Sequence, residues 1–227
     1  VSSGIPECPG GIMASNPEWC QPQDRWLDTF LGWIKDPSPH PLLMASIFFD
    51  FRPICAGTNF PYLLEDHLLK AIRKSGLFLR FLAKNALINR PPLGLLKRFV
   101  VEKSGEHKNK FDLKLRGLTP VVDAARVLSL SLGIKTQNTL DRLAEINRIG
   151  IIDNNFHADL REAYEFLIYL QISRHLDALA QGDEPDNFLD PANLNGLQRI
   201  MLKESFAVVR RLQETIEFRF QTKLVEI

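Results

Sequence analysis

The sequence predicts a mainly α protein that carries one short strand and one short β-hairpin. Three observations carry that reading. Apolar residues recur at helical spacing through most of the 227 residues. Helix start and stop signals bracket those stretches, such as Thr119-Pro120 before one and Gly133 after it. Only "IFFDFRPI" and the pieces "FVVEK" and "FDLKL" read as extended.

Gly4 to Pro22 is punctuated by Gly and Pro and reads as loop. Trp26, Phe30, Trp33 and Ile34 place a helix over Gln23 to Lys35, and Pro37, Pro39 and Pro41 are expected to stop it. Leu42 to Ser46 is a short helical turn. Ile47 to Ile54 is aromatic and β-branched, and Pro53 and Gly57 close it, so a buried strand is expected there. Tyr62 to Asn89 reads as one long helix bent near Gly76 and ended before Pro91-Pro92. The polar segment Ser104 to Lys110 joins the two extended pieces as a hairpin. Helices follow over Thr119 to Leu132, from a Thr136 cap to Ile146, over Asp153 to Gln181, and over Leu197 to Leu224.

Hydrophobic residues make up 45% of the chain and charged residues 24%, the balance of a globular protein. A formal net charge of +1 provides no global field to attract nucleic acid or an anionic membrane. Any phosphate site must come from local clustering. The three cysteines are odd in number and lack metal-ligand spacing, which fits a reducing compartment. No apolar run is long enough to span a bilayer, and no signal peptide is recognisable. The first residue is Val, and the chain reads as a fragment of a longer protein.

Two constellations stand out. Asp50 and Arg52 are two apart, so on a strand they share a face. Such a pair suits a carboxylate on a divalent metal beside a guanidinium for phosphate, or a plain structural ion pair. The second lies in "GEHKNKFDLKLRGLTPVVDAARV". Lys103, His107, Lys108, Asp112 and Lys114 cluster ahead of the Thr119 helix, whose free N–H groups suit an anion. Asp123 and Arg126, three apart, are neighbours on that helix. A wet hairpin followed by a capped helix explains the same residues equally well. Arg174 and His175 are the types that some RNA-cleaving bundles use, but a surface histidine accounts for them. The five histidines form no zinc pattern, and no P-loop, dinucleotide fingerprint or nucleophile elbow occurs.

Together "CPGGIMASNPEW", "SIFFDFRPICAG", "FLAKNAL", "PPLG", "FVVEKSGEHKNKFDLKLRGLTPVVDAARVLSL", "NTLDRL" and "GDEPDNFLDP" resemble one bacterial nucleotidyltransferase family. In that family the catalytic domain and a helical substrate-binding domain follow a cyclic-nucleotide-binding domain and a pair of CBS domains. More distantly the chain is similar to the uridylyltransferase and adenylyltransferase of nitrogen control. There "D-x-K…G-G-x-R-D" takes the place of "DLKLRGLTPVVDAARV". The resemblance implies that residues 1–60 are the end of an α/β nucleotidyltransferase domain. Residues 61–227 are then an antiparallel helical bundle that binds substrate.

The implied activity is transfer of a nucleotide from a nucleoside triphosphate to an unknown acceptor, a protein being the first candidate, in cytoplasmic signal transduction. Magnesium serves the intact enzyme. The family's Gly-Ser turn and D-x-D pair are absent here, so this fragment alone is expected to be inactive. Asp50 matches the third, metal-holding carboxylate, with Asp112 as second choice. Arg52, Lys103, His107, Lys108 and Lys114 are expected to face phosphate or the acceptor, and Asp123 and Arg126 to fix the cleft wall. A homodimer is one open assembly, and no membrane or nucleic-acid partner is expected. The competing readings are a non-catalytic interaction module and, further off, an RNA-binding bundle.

Overall fold

The computed structural model describes residues 10–52, 54, 59–94 and 98–225. Cys8, Pro53, Cys55 and Gly57, which enter the readings above, lie outside the described residues. Among the described residues there are eight α-helices and one two-stranded antiparallel sheet, so the mainly α class holds. No helix there is long and apolar enough to cross a membrane.

Helix α1 spans Gln23–Lys35 and buries Phe30 and Ile34. Helix α2 spans Pro39–Phe48. The prolines expected only to stop α1 therefore open the next helix. Pro39 sits in the first turn, where a missing N–H costs nothing. The expected strand over Ile47 to Ile54 is not found. Ile47 and Phe48 complete α2, and Phe49 and Asp50 form the turn after it. Leu42, Ala45 and Phe49 are buried at helical spacing, and Phe49 packs against Phe30 with ring centroids 5.3 Å apart. A short apolar run fits a buried helix as well as a strand, and among the described residues no strand pairs with it.

The long helix expected after Tyr62 is two helices, α3 (Phe60–Lys74) and α4 (Gly76–Ala86). Ser75 breaks it and caps α4, its hydroxyl accepting the Phe78 N–H at 3.3 Å. The polar loop after Val101 closes on itself, with the Glu102 N–H donating to Lys110 O at 2.9 Å. The expected hairpin goes no further. Phe111–Asp112 (β1) instead pairs with Phe188–Leu189 (β2), Asp112 opposite Phe188.

From Lys114 to Leu118 the chain forms a π-helical turn that runs directly into α5 (Thr119–Leu132). Thr119 is thus not a free helix start, because its N–H already donates to Lys114 O. Asp112 takes the capping role, accepting the Leu115 N–H at 2.7 Å. Gly117 makes no tight turn; it is buried within the π-helical turn. Gly133, at φ 75°, ends α5 as predicted.

Helix α6 spans Thr139–Arg148 and is capped by Asn138 rather than Thr136. Helix α7, Asn154–Gln181, starts one residue after the expected Asp153, which caps it instead, and ends at Gly182. Helix α8, Gly196–Phe220, opens with a capping box between Asn195 and Gln198. One apolar core runs from Phe30 and Leu42 through Phe78, Leu128 and Leu160 to Phe206 and Ile216. Each of its fully buried large side chains contributes about 2 kcal/mol by transfer from water.

Candidate functional site

The turn after α2 sets Asp50 against two helices from later in the chain. Its Oδ2 accepts from Arg126 Nε at 2.8 Å and from Arg142 Nη1 at 3.2 Å, and its Oδ1 accepts from Arg142 Nη2. Arg126 Nη1 also donates to Asp123 Oδ1 at 2.8 Å, one helical turn back. The Arg142 side chain is only 4% exposed. Its Nε donates to Thr136 O at 2.7 Å, and Gln137 donates to the Phe51 carbonyl. Two acids and two guanidiniums thus form a closed, neutral cluster where α2, α5 and α6 meet.

The two carboxyls are pushed in opposite directions. Burial alone raises the Asp50 carboxyl, but the Arg142 hydrogen bond and the charges of Arg126 and Arg142 outweigh it and hold its pKa below the usual 3.8. Burial raises Asp123 above that value; Arg126 offsets part of this, and the Asp50 charge adds to the rise.

The structure therefore joins Asp50, Asp123 and Arg126 as one unit. It also adds Arg142, which the sequence reading missed inside "NTLDRL". On a helix with acidic neighbours this arginine looks like ordinary surface charge, and only its contact with Asp50 marks it out. Arg52 does not share a strand face with Asp50. It lines a separate apolar cavity of about 210 Å³ with Trp26, Phe30, Phe48, Phe51 and Phe60.

As a magnesium site the donor set does not fit. Both Asp50 oxygens are engaged by guanidiniums, whose positive charge opposes a cation at the same oxygens. Among the described residues no group of three or more His, Cys, Asp or Glu side chains is placed to hold a metal.

The hairpin residues gather elsewhere. The His107 ring stacks on Phe188 with centroids 3.4 Å apart and planes 8° from parallel, and Asp112 pairs with the same residue through β1–β2. Lys103, Lys108 and Lys114 are exposed. The expected anion site at Thr119 lacks its free N–H groups. Arg174 donates to the Phe188 carbonyl and lies 3.2 Å from Asp186, and a His175 ring nitrogen lies 3.0 Å from Asp186 O. Both hold the "GDEPDNFLDP" loop in place. Beneath that loop, between the end of α7 and the start of α8, opens a polar cavity of about 860 Å³. Lys110, Arg174, Asp177, Asp186, Asp190 and Gln198 are among its walls.

Residues 76–220 match the family model described as Putative nucleotidyltransferase substrate binding domain, and residues 1–40 match Putative nucleotidyltransferase DUF294. The first match covers more than half of the chain. The chain belongs to this nucleotidyltransferase family. No curated protein and no solved structure matches it. The substrate-binding match opens with α4 at Gly76 and closes with α8 at Phe220. The 860 Å³ cavity lies wholly inside it. Asp50 stands between the two matched regions, and its arginine partners stand in the second.

Proposed function

We propose that this chain binds the acceptor for a nucleotidyltransferase that moves a nucleotide from a nucleoside triphosphate to a protein. The observation that carries this reading is the polar cavity within the substrate-binding match. Its walls hold Asp177, Asp183, Glu184, Asp186 and Asp190 against only Lys110 and Arg174. An acidic recess of that kind favours an acceptor segment rich in lysine or arginine. The Asp50 cluster serves as a positioning device, locking the turn after α2, between the two matched regions, against α5 and α6. Magnesium belongs to the transfer step and is assigned to no residue of this chain. A signalling role, in the cytoplasm and beside cyclic-nucleotide-binding and CBS domains, rests on the sequence resemblance.

The test uses the intact protein with a panel of labelled nucleoside triphosphates, magnesium and candidate protein acceptors. Label should reach a basic acceptor and be lost when Ser173→Trp fills the cavity. Transfer at an undiminished rate by the Ser173→Trp protein refutes the assignment.

A second reading, an interaction module that pairs with another copy of itself, draws on one feature of α7. Tyr169, Ile172, Leu176 and Leu179 are 54–60% exposed at three- and four-residue spacing, the seam of a two-helix pair. Sedimentation of wild type against Ile172→Glu distinguishes it, since only the wild type should self-associate.

A further inference from the structure

The segment between α4 and the Leu93–Phe99 bridge is pinned by side chains from elsewhere in the chain. On α8, Arg210, Gln213 and Glu217 lie along one face at spacings of three and four. Gln213, 2% exposed, donates from its amide to the carbonyls of Ala86 at 3.3 Å and Asn89 at 2.8 Å. Arg210 Nη2 donates to Leu93 O. From the π-helical turn, Arg116 Nε donates to Arg90 O at 3.1 Å. Four backbone carbonyls in this stretch are thereby satisfied, which ties the wall they form to α8 and the π-helical turn.

That wall encloses a cavity of about 370 Å³ lined by Arg90, Pro91, Leu93, Gly94, Arg210 and Gln213. Two guanidiniums face it with most of their donors unspent. Among the described residues Arg210 makes one side-chain hydrogen bond, through Nη2, leaving Nε and Nη1. The Arg90 guanidinium makes none; its nearest acid, Glu217, is 3.7 Å away, a loose ion pair. Arg90 also lines a second cavity of about 400 Å³, in which Lys84, Lys223 and Arg90 face Glu217 as the single carboxylate. The chain as a whole carries a net charge of +1, so this concentration of charge is local.

We infer that the Arg90–Arg210 cavity binds a phosphate-bearing small molecule. Guanidiniums offer paired N–H donors whose geometry matches phosphate oxygens, and here two of them converge with donors to spare. Prior anchoring of the loop means that little ordering is paid on binding. The site is separate from the Asp50 cluster. Arg116 and Arg126 share one continuous helical stretch, which sets the two places roughly 15 Å apart along it. It also stands apart from the acidic cavity under the "GDEPDNFLDP" loop and does not rest on the proposed acceptor role.

The test is titration of the 227-residue protein with inorganic pyrophosphate at low salt, followed by calorimetry and by NMR of arginine side chains. Saturable binding is expected, with shifts at Arg90 and Arg210 and an affinity that falls as salt is added. Arg90→Gln should weaken it at least about tenfold, the loss expected for a charge-assisted hydrogen-bond pair. Its side chain makes no hydrogen bond, so this variant should melt with the wild type. Arg210→Lys, which keeps the charge but loses the fork, should weaken binding as well. Arg148→Gln with Arg161→Gln, both exposed and on helices that do not line the cavity, should leave it unchanged. ATP and adenosine separate the sources. Much tighter binding of ATP than of pyrophosphate identifies a nucleotide, equal affinity identifies free polyphosphate, and adenosine should not bind. No saturation by about 10 mM pyrophosphate, or equal affinity in the wild type and Arg90→Gln, overturns the inference.

Discussion

Arg142 reaches across 92 positions of sequence to Asp50, placing Nη1 at 3.2 Å from Oδ2 while Nη2 meets Oδ1. A bidentate pair this far inside the protein is costly to break from one side. Asp50→Asn should destabilise the fold by about 3 kcal/mol, because it leaves the buried Arg142 charge without its counter-ion. Arg142→Met should cost a similar amount. The double variant Asp50→Asn, Arg142→Met should lose less than the sum, since neither charge is then stranded. Urea denaturation of the four proteins checks this; strictly additive losses would show that the pair is not coupled.

Acid should act on this cluster in two stages. The Asp123 pKa is raised in the fold, so the folded state takes up that proton first, and stability rises as pH falls through the raised value toward 3.8. The Asp50 pKa is lowered, so its contribution is whole above 3.8 and is lost as pH falls below 3.8 through the folded value. Unfolding free energy measured against pH should show both limbs. Asp123→Asn should remove the mild-acid rise, and Asp50→Asn should flatten the fall below 3.8. An unchanged acid limb in Asp50→Asn sinks the assignment.

What was legible in the sequence was local. Helix α1 has its expected bounds because a single apolar stripe and flanking prolines mark it. The span of helix α7 was legible to within a residue, and Asp153 and Gly182 each act within a few residues of its ends. The two misread strands depend on partners outside their own segments. "IFFDFRPI" is apolar enough for either structure, and what decides is packing against Phe30 and Trp33 together with the Pro39 start. "FDLKL" alternates for only five residues, and its first two find a strand beyond α7, not the neighbouring piece. Of the site, Asp123 and Arg126 were legible as helical neighbours. Arg142 was not, since nothing in "NTLDRL" shows that Asp50 lies opposite.

The His107–Phe188 stack should govern how firmly the "GDEPDNFLDP" loop is held. His107→Ala removes a ring pair of about 1 kcal/mol. The Leu113 N–H, which donates to Asn187 O at 2.8 Å, should then exchange several-fold faster with solvent deuterium. Amides within α8 should be unaffected. Equal exchange at Leu113 in both proteins would mean that the β1–β2 pairing holds the loop without the ring.

Gly117 is a packing glycine. A Cβ there would sit 3.3 Å from a Phe206 ring carbon and 3.4 Å from methyls of Leu113 and Leu167. Gly117→Val should cost about 2 kcal/mol or more through overpacking. Thermal melting reads it, and a variant as stable as the wild type would show that Phe206 can yield.

The π-helical turn at Lys114–Leu118 holds one residue more per turn than the α-helix it feeds. The turn and α5 make one rod with two working ends. Upstream, Arg116 braces the Arg90 carbonyl, and downstream Arg126 meets Asp50. Inserting a single residue into α5 between them would spin one end against the other by about 100° and lengthen the rod by about 1.5 Å. Both arginines could no longer face their partners at once. Length between Arg116 and Arg126 is therefore held more tightly than side-chain identity, as in a key whose teeth tolerate wear but not a shift along the blade.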